Sequence, residues 1–156
     1  MWTRIVVIAA LFVLGASPAA SQKPVAAGED QKRLADLIAQ GQGPYSKISD
    51  SAWSTPYRGK TMPSITVRIA TAEGGVFFFV DLFDRKSITL SRNLLVKMAE
   101  MNAEFDYGKI ALTGDAIQVR IDVRAKLLDA EQFRAMEKQA ASIADEAYGI
   151  IKDFVQ

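Results

Sequence analysis

The chain reads as a two-layer α+β domain, an antiparallel sheet of four to five strands with its helices on one face. Three observations predict this. Two pairs of apolar-rich runs are each joined by a tight glycine-bearing turn, at Glu73-Gly74-Gly75 and at Gly114-Asp115, and strands joined this way pair antiparallel. Three other stretches carry helical spacing, the last being the longest: Phe133, Met136, Ala140, Ile143, Ala147, Ile150 and Phe154 fall at gaps that alternate between 3 and 4. The resulting order is helix, one weak strand, hairpin, helix, hairpin, long helix. Helices segregated to one face of an antiparallel sheet are the layer solution for that order.

Taken in order, the first helix spans Glu29–Gln40, with Glu29 and Asp30 placed where the helix dipole favours acids, Asp36 further along, and Leu34, Leu37 and Ile38 as a narrow apolar stripe. Gly41, Gly43 and Pro44 stop it. Residues 45–63 are irregular, with a weak strand signal over Tyr45–Trp53. Trp53 is expected as a core plug at the sheet edge, because Trp is highly buried on average. Ser64–Ala70 alternates, with Ile65, Val67 and Ile69 on one side and Thr66 and Arg68 on the other. Val76–Phe83 is apolar on both sides, as in a central strand, with Phe77, Phe79 and Phe83 forming the set opposite Val76, Phe78, Val80 and Leu82. Asp84-Arg85-Lys86 turns the chain, Ser91 N-caps a helix over Arg92–Ala103, and Leu94, Leu95, Met98, Met101 and Asn102 line one side of it. The second hairpin is Phe105–Thr113 with Ala116–Arg124. Its second strand points Ile117, Val119, Ile121 and Val123 inward. Its first points Ile110 and Leu112 inward, leaving Phe105, Tyr107, Lys109 and Ala111 outward. Asp129 caps the final helix, with Glu131 in the first turn; drawn to Val155, that helix is about 26 residues and about 39 Å long. Its stripe would serve a coiled-coil seam, but the inward faces of both hairpins need a cover, so it is expected mainly as intramolecular core.

Ahead of these elements lies a leader. Arg4 supplies a positive start, Ile5–Leu14 an apolar run of ten, and residues 15–21 a small-residue stretch. This is the three-part pattern of a secretory signal, and the run is shorter than the roughly 20 residues that span a bilayer. Cleavage is expected after Ala19 or Ser21, giving an exported, periplasmic or secreted protein. The division is thus 1–21 signal peptide, 22–28 flexible lead-in, 29–156 one domain. Without Arg4, the 19 basic residues become 18, against 18 acidic, which argues against nucleic acid as a partner. Cysteine and histidine are both absent. Disulfides, thiolate or imidazole metal sites, and Ser-His or Cys-His catalysis are therefore excluded. Carboxylate, Lys or Tyr chemistry remains.

The second half resembles the YbjN-like domain family. The matching residues are Met101-Asn102, Phe105-Asp106-Tyr107-Gly108-Lys109-Ile110-Ala111-Leu112, Gly114-Asp115-Ala116-Ile117, Ile121-Asp122, and then Asp129, Phe133 and Ala144-Asp145. The likeness covers residues 62–155. It implies a fold similar to the class I type III secretion chaperones, often dimeric. The family's label, a candidate bacterial sensory-transduction regulator, defines no biochemical activity, and the resemblance offers no catalytic motif. Unlike the usual member, this chain carries an export signal.

Carboxylate pairs are the remaining catalytic candidates. Asp145 and Glu146 are adjacent and point to different parts of a helix surface, as a solvated face would. Asp81 and Asp84 lack the dense acidic loop of a calcium site. Gly41-Gln42-Gly43 and Gly74-Gly75 lack the strand-loop-helix context of a phosphate loop. No cofactor, metal or catalytic residue is expected. The candidate functional surface is the sheet face away from the helices, where the strand phasing gathers Phe77, Phe79, Phe105 and Tyr107 beside Arg68, Lys109 and Arg120. Aromatic clusters rimmed by charge are how binding faces look. Alternatively, the segment carrying Trp53 and Tyr57 folds over those rings and makes them core. The expected function is a non-enzymatic binding or chaperone-like domain with a protein or peptide partner or as a homodimer; the alternatives are a small-ligand or lipid carrier and a carboxylate-based enzyme.

Overall fold

The computed structural model describes residues 27–154. The leader and all but the end of the lead-in lie outside the described residues. Helix α1 (Ala27–Gly41) is followed by β1 (Ser46–Ser49), β2 (Ala52–Tyr57), β3 (Ile65–Ala72), β4 (Gly75–Asp84), α2 (Arg92–Glu104), β5 (Lys109–Leu112), β6 (Ala116–Arg124) and α3 (Ala130–Ile151). Short 3-10 turns follow β4, β6 and α3. The strands form one antiparallel sheet in the order β1-β2-β3-β4-β6-β5. The doubly apolar run, β4, is central as its composition demands.

The sheet has six strands where four to five were expected. β1 falls within the weak strand expected over Tyr45–Trp53; the additional strand, β2, lies mostly in the rest of the stretch that looked irregular. β1 is exposed throughout, so no face of it needs apolar residues and no alternation marks it. β2 contains Pro56, which sits beyond the end of the β1 pairing, where the strand is locally an edge and a missing N–H is tolerated. The β3–β4 hairpin turns over Glu73 and Gly74, both at positive φ (51° and 76°), as a two-residue type I′ turn requires.

One contiguous core lies between the sheet and the helices. α3 crosses β3, β4 and β6, α1 packs on α3 and β3, and α2 closes the β5 end. α3 opens with a capping box in which the Asp129 carboxylate accepts from Gln132 N–H while the Gln132 side chain accepts from Asp129 N–H. It ends at Ile151, short of Val155, in a 3-10 turn. Phe133, Ala140, Ile143 and Ala147 of the expected stripe are buried; Met136, Ile150 and Phe154 are only half-buried. The deeper line runs Phe133, Glu137, Ala140 and Ala141, Ala144, Ala147, Ile151. Its alanines let the helix axis approach the sheet, and the Phe133 ring meets Phe78 of β4 at 5.3 Å between centroids.

Polar anchors fix the helices against the strands. Buried Asp30 accepts from Gly74 N–H at 2.7 Å, and Arg33 donates to the carbonyls of Ala125 and Leu128 at 2.7 and 2.9 Å, so α1 is tied to the ends of both hairpins. On α2, Ser91 caps as expected, accepting from Leu94 N–H. Asn102 receives Ile110 N–H at 2.6 Å and donates to Ile110 O at 3.0 Å. An amide side chain thereby takes the place of a neighbouring strand on β5, one way of blunting a sheet edge.

Candidate partner-binding face

Cross-strand register builds this face, because directly opposed residues project to the same side of a sheet. Arg68 of β3 faces Phe79 of β4, Phe79 faces Arg120 of β6, and Arg120 faces Lys109 of β5. These four residues form one row across the sheet on the side away from the helices. The row below holds Ala70, Phe77 and Asp122; the row above holds Thr66, Asp81, Gln118 and Ala111. The Arg68 guanidinium lies over the Phe79 ring and that of Arg120 over Phe77, each 4.9 Å from the centroid. Such stacking covers ring faces while leaving guanidinium edges free to donate. Carboxylates hold the arginines in place. Arg68 pairs with Asp81, which also accepts from Gln118 at 2.6 Å; Arg120 donates to Asp122 at 2.6 Å, and Lys109 lies 3.5 Å from the same carboxyl. The middle row keeps three cations and no acid of its own. Arg68 and Arg120 are two strand spacings apart, about 10 Å, with Lys109 about 5 Å further.

Of the seven residues singled out from the sequence, Arg68, Phe77, Phe79, Lys109 and Arg120 share this face. Phe105 and Tyr107 do not belong to its strands. The first strand of the second hairpin begins at Lys109, four residues later than expected, because residues 105–108 form a turn between α2 and β5 rather than strand. Phe105 caps that helix, its N–H bonding to Met101 O at 3.2 Å, and its ring packs on the core. Tyr107 stands in the turn before β5, 68% exposed. Leu112, expected inward, is 41% exposed at the end of the edge strand. Phe83 is also displaced from its expected set. A bulge between Asp81 and Phe83 puts Phe83 opposite Ile117 on the covered face, where it stacks on Tyr148 of α3 at 5.0 Å. Trp53 and Tyr57 oppose Ile69 and Ile65, also on the covered side. The segment weighed as a cap over the Phe77 and Phe79 rings therefore lies behind them.

Two carboxylates on α3 had no clear role in the sequence. Asp145, read as part of a solvated face, gathers three backbone donors: Oδ1 accepts from Thr61 N–H and Met62 N–H at 2.8 and 2.7 Å, and Oδ2 from Lys60 N–H at 2.8 Å. The Met62 and Lys60 N–H bonds, with a smaller contribution from Thr61, hold this carboxyl below the usual carboxylate range. A side chain at Gly59 would collide with Asp145, so the loop closes around the acid only because that residue is glycine. The loop walls an open cleft of about 660 Å³ lined by Pro56, Tyr57, Arg58, Gly59, Pro63 and Ser64. Glu137, absent from any apolar stripe, is 2% exposed. Its Oε2 accepts from the hydroxyls of Tyr45 at 3.0 Å and Tyr57 at 3.4 Å. A usable signal existed: extending the Ala140, Ala144, Ala147, Ile151 line back by one helical step lands on Glu137 rather than Met136.

No family model matches the chain, and no curated protein matches its sequence. Solved structures do match in shape. YbjN from E. coli, described as a candidate transcription regulator, superposes with a TM-score of 0.58 at 13% identity over 79% of this chain and 91% of that one. The fold is YbjN-like. A chain in the structure of the ExsC–ExsE complex superposes with a TM-score of 0.52 at 11% identity over 82% of this chain and 94% of that one. The YbjN-like fold is thus also the chaperone-like α+β fold that the second-half resemblance implied, with the covered and open sheet faces described above.

Proposed function

We propose that this chain is an exported, non-enzymatic binding domain with a chaperone-like role, whose open sheet face receives an acidic, apolar-bearing segment of a protein partner. The observation that carries this is the row Arg68–Phe79–Arg120–Lys109 on the uncovered face. Two aromatic rings supply apolar area. The guanidinium edges and the Lys109 ammonium supply donors for carboxylates about 10–15 Å apart across the strands. The ExsC–ExsE neighbour, itself a complex of two proteins, supports a partner-binding use of the fold. Three of the four carboxylates weighed for catalysis have structural roles, and the fourth, Glu146, is exposed on α3. Asp81 neutralises Arg68, Asp84 caps the turn after β4 by accepting from Lys86 N–H, and Asp145 anchors the 60–62 loop.

Displayed peptides drawn from exported proteins, selected against the wild-type domain and against Arg68→Glu/Arg120→Glu, test the reading. The wild type should enrich acidic sequences containing aromatic or aliphatic residues, and the reversed face should lose them. A wild type that enriches nothing, or a variant that enriches the same set, overturns it. Melting of Phe79→Asp adds a check: an intact fold places the ring in an interface, a collapsed one in the core. Export is tested by sequencing the N-terminus of the cell-made protein, which should begin at Ala20 or Gln22; a chain retaining Met1–Ser21 in the cytoplasm overturns that part.

A further inference from the structure

Glu137 is the group the binding face does not explain. It projects from α3 into the core at a corner where three elements meet: α3 itself, the α1–β1 connection through Tyr45, and β2 through Tyr57. Tyr45 reaches it because Gly41 and Gly43 leave room for its ring; a Cβ at either position would strike it. Both hydroxyls converge on Oε2, while Oε1 is buried and has no hydrogen-bond partner among the described residues. An ionised carboxylate in that position has one oxygen well served and one stranded, an arrangement that favours the neutral form.

We propose that Tyr45, Glu137 and Tyr57 form a proton-operated latch that holds the α1–β1 connection and the β1–β2 hairpin onto α3 while the carboxyl is protonated and loosens them when it ionises. The groups that bear on Glu137 agree with this. Burial pushes its pKa up from 4.5 to about 7, against the opposing pull of the Tyr45 and Tyr57 hydroxyls and of Arg134 and Lys138 on its own helix. Burial and the neighbouring Glu137 push both tyrosines above their ordinary value, Tyr57 to about 12, so they remain proton donors throughout. Glu137 is therefore the member of the cluster that changes charge near neutral pH. Relief of the stranded charge requires water at Oε1, and the least anchored element joined to the cluster is β1, which follows Tyr45 directly and has four exposed residues on the sheet edge with an irregular register. The latch bears on the open face too, because Ser46 and Ser54 continue the row that begins at Arg68.

Two measurements on the wild-type protein decide it: a carbon-13 NMR titration of the Glu137 carboxyl, and amide exchange of residues 46–57 between pH 5.5 and 8.5, normalised to intrinsic rates and to β4. The carboxyl should titrate near 7, and protection of β1 and β2 should fall at least tenfold through the same midpoint. In Glu137→Gln that fall should vanish. A carboxyl titrating below pH 5, or a loss of β1–β2 protection that does not follow the carboxyl, overturns the latch even if the Gln variant fails to fold. An identical loss in a folded Glu137→Gln overturns it as well.

Discussion

Asp145 and Glu137 stand two turns apart on the same helix and solve the same problem in opposite ways. Asp145 offers both oxygens to a loop that arrives with three N–H donors, and its charge is welcomed. Glu137 is packed among core side chains, takes two hydroxyls on one oxygen and leaves the other bare. Helix position and residue type are nearly matched, so the difference lies in what the partner elements bring. A tight glycine loop supplies backbone dipoles already oriented, whereas two tyrosines supply one donor each at the tip of a large apolar ring. The same comparison fixes the sign of two pH dependences. The raised pKa of Glu137 means that its stability is fully present below the unfolded value of 4.5 and is lost as pH climbs to about 7. At about 1.4 kcal/mol per pKa unit, about 3 kcal/mol is at stake. The lowered pKa of Asp145 works the other way: its contribution is present above the ordinary 3.8 and is lost as pH falls through the folded value.

The largest effect should come from unseating the helix that carries both acids. Phe133 is fully buried against Phe78, four residues before Glu137. Phe133→Ala should cost about 3–5 kcal/mol in denaturant unfolding. It should also bring the Glu137 midpoint down towards 4.5, since a cavity one helical turn away relieves desolvation, while Asp145 is unmoved. A midpoint that stays near 7 would mean that burial by α3 is not what raises it. Next in size are the two hydroxyls. Tyr45→Phe removes the shorter bond and should lose about 1–2 kcal/mol when Glu137 is ionised, raising its midpoint further. Tyr57→Phe, acting at 3.4 Å, should do the same more weakly. Equal shifts would show that Oε2 does not distinguish its donors.

These contrasts were unevenly legible in the sequence. β3, β4 and β6 announced themselves because their covered faces demand Ile, Val and Phe at every second position. The caps at Ser91 and Asp129 were visible because an orphan N–H needs a small oxygen-bearing side chain. The Arg68–Phe79–Arg120–Lys109 row followed from strand phase alone. Phase failed where the backbone departed from regularity: the bulge after Asp81 turned Phe83 inward, and the turn over residues 105–108 kept Phe105 and Tyr107 out of their expected strand. β1 registered only as a weak strand and β2 was missed, because a strand with little burial carries no apolar rhythm. Glu137 and Asp145 escaped for a different reason. A search for apolar stripes steps over acids, and neither the loop that serves Asp145 nor the tyrosines that serve Glu137 lie within 70 residues of them in the chain.

The smallest effect, and the one that separates the two sites most cleanly, should come from Asp145→Asn. The side chain keeps its shape, but one oxygen becomes an amide NH2. Placed so that its oxygen keeps Thr61 N–H and Met62 N–H, the Asn turns an N–H toward the Lys60 N–H that Oδ2 now receives. Two donors then face each other, and the loop has to give at Lys60. Amide exchange should therefore accelerate most at Lys60 and least at Met62, with melting at neutral pH little changed because the anchor is at the surface. The acid arm of the stability profile should flatten, because no carboxylate remains to be protonated there. The loss on the alkaline side of pH 4.5 should persist unaltered, since Glu137 shares no hydrogen-bond partner with Asp145 and independent sites add. If Asp145→Asn shifts the midpoint near 7, the two acids are coupled through the sheet corner, and the latch must be redrawn to include the 58–64 loop.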